Sequence, residues 1–140
     1  MKTILFSSLL ILAFSCKAQK MVQKIDDSKK LEINKDKFIG SPLKDLLKEI
    51  SPKIETALGS PGSAERPSFF NFYFASKKQY DKYRTQKKFP LTIRVYVKGT
   101  FIWDKRGKSI DDWLNWTKED TEKYGDLIIT DIQVYNEENK

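Results

Sequence analysis

From Leu91 to Lys98 apolar and polar residues alternate: Leu91, Ile93, Val95 and Val97 fall on one side, Thr92, Arg94, Tyr96 and Lys98 on the other. A two-residue period marks a strand with one buried face, and FPLTIRVYVK (89–98) therefore predicts the central strand. Each aliphatic side chain buried there contributes roughly 1.5–3 kcal/mol before entropy is subtracted. Two other stretches share the pattern. FFNFYFA, Phe69 to Ala75, sets Phe70, Phe72 and Phe74 against Asn71 and Tyr73, and near the C-terminus Ile128, Thr130, Ile132 and Val134 alternate with Ile129, Asp131, Gln133 and Tyr135. Weaker alternation predicts a strand with Ile54, Thr56 and Leu58 on one face, a short edge strand at Leu31 and Ile33, and a hairpin partner through Phe101 and Trp103.

Helical spacing replaces alternation elsewhere. Ser41 is a good N-cap, Pro42 suits a first helical position, and Leu43, Leu46, Leu47 and Ile50 share one stripe, which predicts a helix over 42–50. Ser76 caps a second, basic helix, SKKQYDKYRTQKK, with Tyr80 and Tyr83 three apart. Ser109 with Asp112 and Thr117 with Asp120 stand at capping-box spacing, so 110–124 reads as one broken or two short helices closed by Gly125. The Gly/Ser/Pro-rich run 59–67 reads as an exposed loop joining two strands. Together these elements predict an α+β fold in one domain, 31–136, with a short tail at 137–140. Its antiparallel sheet would hold four to five strands, with two to three short helices mainly on one face.

The first eighteen residues follow a different rule. A positive start, Met1-Lys2-Thr3, precedes an apolar run from Ile4 to Phe14 that is too short for a permanent membrane span. Small and polar residues follow, which is how a secretory signal ends. Two cleavage readings stand: before Cys16, where Ala13-Phe14-Ser15-Cys16 resembles the lipobox of bacterial lipoproteins and Cys16 would be lipidated, or after Ala18, leaving Gln19 first. Residues 19–30 are polar apart from Met21, Val22 and Ile25 and read as a tether. On Met1 to Gln19 the chain resembles small exported and lipoprotein-type proteins of bacterial cell envelopes, and FIGSPLKDLL at 38–47 resembles the helix opening of small α+β envelope lipoproteins. The resemblance implies a location, outer membrane or periplasm as a lipoprotein or soluble export, and transfers no functional residue.

Composition narrows the chemistry. The chain contains no histidine, and Cys16 is its only cysteine. Histidine- or cysteine-based catalytic triads, typical zinc sites and intrachain disulfides are thereby excluded, and no motif calls for a cofactor. The net charge of +7 falls to about +6 once Lys2 leaves with the signal, and it is unevenly spread. The interval 77–106 holds ten lysines and arginines against Asp81 and Asp104, whereas 109–140 holds nine acidic residues against three lysines. Such a stretch suits a polyanion, and export favours an anionic glycan or lipid headgroup over nucleic acid. Lys82, Arg84, Lys87 and Lys88 are its candidate contacts, joined by an aromatic segment, Trp103, Trp113 and Trp116, of the kind that holds sugars or peptides.

The function this composition favours is a non-enzymatic binding module for an envelope protein, an anionic glycan or a headgroup, at the membrane if Cys16 carries a lipid. The other reading is a carboxylate-dependent hydrolase of an envelope polymer using a pair from Asp111, Asp112, Glu119, Asp120 and Glu122. For these residues helix capping is the competing explanation.

Overall fold

The computed structural model describes residues 19–105, 107–109 and 112–136. The signal and Cys16, the 137–140 tail, and Arg106, Ile110 and Asp111 lie outside the described residues.

The fold is α+β. Four strands, β1 (Thr56–Ser60), β2 (Ser68–Tyr73), β3 (Thr92–Val97) and β4 (Ile129–Tyr135), form one antiparallel sheet in chain order. The alternating 91–98 stretch thus lies in an interior strand, with Phe70 opposite Val95 on one side and Ile132 opposite Val95 on the other. Four α-helices accompany it: α1 (Lys29–Ile33), α2 (Leu43–Lys48), α3 (Lys77–Thr85) and α4 (Lys118–Tyr124). Phe70, Phe72, Ile93, Val95, Ile132 and Val134 are buried on one face, where they meet Leu31 of α1, Leu43 and Leu46 of α2 and Tyr124 of α4.

Each sheet edge is paired in part, which reduces the unpaired N–H and C=O groups that invite aggregation. Beside β1, Ala57 N donates to Leu114 O at 2.8 Å and Trp116 N to Glu55 O at 3.2 Å. Beside β4, Gly40 N donates to Ile129 O at 2.8 Å and Ile129 N to Ser41 O at 2.9 Å.

The strand register corrects two sequence expectations. In β1 it is Ala57, opposite Phe72, that enters the core. Thr56 turns the other way and hydrogen-bonds Ala75 O at 3.0 Å, so Leu58 does not point into the core. The neighbouring ring of Trp103 explains the choice: a Cβ at Gly59 would come within 2.6 Å of it, leaving room on that side only for Ala57 and Gly59. In β4 the register shifts between Tyr96 and Val97, so that Tyr96 opposes Asp131 and Val97 opposes Ile129. This irregularity makes Thr130 the extra residue and brings Ile129 to the same buried face as Ile132 and Val134.

Three other expectations change. Leu31 and Ile33 belong to helix α1 rather than an edge strand, because Leu31 is needed on the core side of β4 while Ile33 faces solvent. Phe101 and Trp103 form no strand; their rings fold back onto Phe70, at 4.4 and 5.7 Å between centroids. Of the one broken or two short helices expected over 110–124, α4 is the one found among the described residues, and its start is the predicted box: Thr117 Oγ1 accepts from Asp120 N while Thr117 N donates to Asp120 Oδ2.

The 19–30 stretch also packs rather than acting as a free tether from Met21 onward. Val22 is fully buried and forms a parallel bridge with Ile50, accepting from Ser51 N at 2.8 Å and donating to Glu49 O at 2.9 Å. A 3-10 turn, Ile25–Ser28, then leads into α1. Three apolar residues among charges were enough, because each meets a partner far along the chain.

Candidate functional site

Helix α3 and the turn after it carry the four cations singled out from the sequence. The helix begins at a reciprocal cap, Ser76 Oγ accepting from Gln79 N and Gln79 Oε1 accepting from Ser76 N. It is fastened to the sheet through aromatic rings: Tyr80 meets Tyr73 edge-on at 5.1 Å on the face opposite the main core. Burial there, reinforced by the Tyr80 hydroxyl, pushes the Tyr73 phenol up to about 12.

The C-terminus of α3 is a Schellman turn, with Lys88 N donating to Tyr83 O at 2.9 Å and Lys87 N to Arg84 O at 3.1 Å. The residue at its left-handed position is Lys87, φ 53°, where glycine is the usual occupant. The chain thus accepts a strained backbone to place a lysine at this point.

Along this helix Lys77 pairs with Asp81 at 2.9 Å. Lys78, Lys82, Arg84, Lys87 and Lys88 are exposed and form no ion pair with a described carboxylate. Lysines on other elements behave differently: Lys35 holds Asp131 at 2.7 Å, Lys44 holds Asp126 at 2.6 Å, Lys48 holds Asp45 at 3.0 Å and Lys53 holds Glu55 at 2.9 Å. The field of α3 is therefore not cancelled locally.

Beside α3 lies a groove of ≈ 190 Å³ lined by Ile25, Phe74, Gln79, Tyr83, Pro90 and Leu91. Ile25, Tyr83 and the adjacent Phe89 stay 44%, 37% and 55% exposed, an apolar rim next to the cations. None of the three was picked out from the sequence as a site residue. The signal was the pair of rings bracketing the basic run; Ile25 could be found only through the fold.

The tryptophans do not join this surface. Trp116 stands edge-on to Phe72 at 5.0 Å and Trp103 to Phe70 at 5.7 Å, on the core face, with Trp116 Nε1 donating to Thr121 Oγ1 at 3.0 Å. Trp113 is 44% exposed and lines a separate cleft with Ile102, Trp103, Lys105 and Lys108. Tyr80 holds α3 on the other side of the sheet, so the juxtaposition of the basic run with the aromatic segment expected from their closeness in sequence does not form.

Of the carboxylates of the hydrolase reading, Asp111 lies outside the described residues, and Asp112, Glu119, Asp120 and Glu122 have structural partners. Asp120 caps α4 and receives Lys105 Nζ at 2.7 Å, and Lys105, only 5% exposed, also reaches Asn115 O at 3.1 Å and lies 4.7 Å from the Trp103 ring centroid. Asp112 Oδ2 accepts from Ser109 Oγ at 2.6 Å, and Asp112 Oδ1 accepts from Asn115 Nδ2 at 3.1 Å. Hydrogen bonds at the α4 start, first from the Glu119 backbone and then from Thr117, hold the Glu119 carboxyl below the usual range. Among the described residues no group of histidine, cysteine or carboxylate side chains is arranged to hold a metal ion, and no helix is long and apolar enough to cross a membrane.

The open sheet face is self-satisfied. Arg94 lies 4.4 Å from the centroid of Phe69 and 5.2 Å from that of Tyr135, and its Nε donates to Asn71 Oδ1 at 2.8 Å. Compared with family models, curated proteins and solved structures, the chain matches none.

Proposed function

We propose that this is an exported, lipid-anchored, non-enzymatic binding module of the cell envelope, and that α3 is its contact surface for an anionic partner, a glycan or a phosphate-bearing headgroup. One observation carries the reading: Lys78, Lys82, Arg84, Lys87 and Lys88 stand exposed on α3 and the turn after it, and none of them pairs with a described carboxylate. Like charges gathered this closely repel one another, and an anionic partner relieves that repulsion. The strained Lys87 supports the same reading, since backbone strain of this kind persists where the surrounding structure and a use for the side chain sustain it. Export and anchoring are supported by the apolar run ending at Ser15-Cys16.

The test is titration with sulfated and carboxylated polysaccharides and with anionic vesicles at low and high salt, repeated with Lys82, Arg84, Lys87 and Lys88 replaced by alanine. Binding should fall steeply as salt shortens the screening length below about 8 Å, and the fourfold variant should lose it. Binding indifferent to salt and to all four substitutions, or none at low salt, removes α3 as the contact surface.

A further inference from the structure

We infer that the surface formed by α3, Ile25 and Phe89 docks on an anionic bilayer, the same one that a lipid on Cys16 would enter. This rests on the lipid-anchor reading above and names its headgroup alternative as the partner.

Three observations converge. First, the chain leaves little slack. Met21 and Val22 are fixed to Glu49, Ile50 and Ser51, so a lipidated Cys16 lies five residues from a docked residue, at most about 17 Å of extended chain. Second, the docked lead-in passes beside α3. Ile25 shares a groove with Gln79 and Tyr83 of the helix, and the four residues from Met21 to Ile25 span at most about 14 Å. Together the two bounds keep a lipid on Cys16 within about 31 Å of Ile25, which limits how far α3 can stand from the bilayer.

Third, the side so presented has the composition of an interfacial surface. Ile25, Tyr83 and Phe89 are 44%, 37% and 55% exposed; Tyr83 lies among the cations of α3, Phe89 follows Lys87 and Lys88 in the chain, and Ile25 shares the groove of Tyr83. Lysine and arginine would lie at the headgroup level while the apolar side chains enter the acyl boundary, and Tyr83 keeps its hydroxyl at the interface. Lys20 and Lys24, exposed on the lead-in, extend the basic zone toward the anchor. A soluble polyanion would use the cations and leave Ile25 and Phe89 without a role.

The experiment uses the chain from residue 16 with Cys16→Ser, so that the lipid cannot mask weak contacts. Flotation with vesicles of mixed phosphatidylethanolamine and phosphatidylglycerol is compared with vesicles of phosphatidylcholine alone and with a sulfated polysaccharide. The mixed vesicles should bind and the neutral ones should not. Replacing Lys82, Arg84, Lys87 and Lys88 by alanine should weaken partitioning on the order of a thousandfold, and Ile25→Ser with Phe89→Ser about tenfold, leaving polysaccharide binding unchanged by the apolar pair. These sites are exposed, and unchanged thermal midpoints check that each variant is folded. Polysaccharide binding without vesicle binding overturns the bilayer inference while the anionic-contact function stands; failure of both ligands overturns both. Vesicle binding indifferent to the apolar pair also overturns the inferred docking mode.

Discussion

Between Phe101 and Tyr124 the rings of Phe101, Trp103, Trp116 and Tyr124 gather over Phe70, and Lys105 is buried against Asp120. Between Ser76 and Phe89 the rings are Tyr80, Tyr83 and Phe89; Tyr80 meets Tyr73 of the sheet edge-on, while Tyr83 and Phe89 stay 37% and 55% exposed. Both stretches mix lysines with aromatics, and in sequence they look equally suited to contact. What separates them is where charge is neutralised. A lysine beside a buried carboxylate belongs to the packing, whereas exposed lysines without one leave a field that reaches into solvent.

The contrast predicts unequal responses to substitution. Phe70→Ala removes the ring on which the first region assembles and should cost about 3–5 kcal/mol, read from urea unfolding. Lys105→Ala leaves Asp120 buried without its cation and should cost about 3 kcal/mol, the low end for a broken buried pair because the Thr117 bonds to Asp120 survive. Lys82→Ala or Arg84→Ala should change stability by no more than about 0.5 kcal/mol. A Lys105 variant as harmless as these would erase the distinction.

Lys87 sharpens it. Glycine at the left-handed position relieves about 1–2 kcal/mol of steric cost and adds about 0.5–1 kcal/mol of unfolded-chain entropy. Lys87→Gly should therefore stabilise the domain by about 0.5–1 kcal/mol while weakening anion binding, a pairing that thermal unfolding and a binding titration detect together. Loss of stability would mean that the lysine serves the fold.

A further effect is alkaline. Burial raises Tyr73 from its ordinary 10.0 to about 12, so the unfolded chain loses this proton before the folded one does. The contribution is complete below pH 10 and disappears as pH climbs through 10 to about 12. Tyr73→Phe should flatten the alkaline limb of the urea midpoint over that window; an unchanged limb would refute the buried phenol that fastens α3.

The sheet was legible because period-two alternation is a local property: Ile93, Val95 and Val97 enter the core as the sequence implies. The faces of Leu58 and Ile129 were not, since one depends on a distant tryptophan against Gly59 and the other on the shifted register after Tyr96. Lys82, Arg84, Lys87 and Lys88 were legible as a charge run. Their lack of an ion pair with any described carboxylate, the departure of Trp103 and Trp116 to the core, and the approach of Ile25 to Tyr83 arise only when segments far apart in sequence meet.

Amide chemical shifts, followed while an anionic ligand is titrated at low salt, test the central claim most directly. A sulfated polysaccharide or anionic lipid micelles would serve as ligand. The account predicts shifts concentrated at Lys78 to Phe89 and, for the lipid, at Ile25, all reversed by salt, with Phe101 to Trp116 unmoved. Shifts centred on Trp103, Trp113 and Trp116, leaving α3 undisturbed, would contradict it.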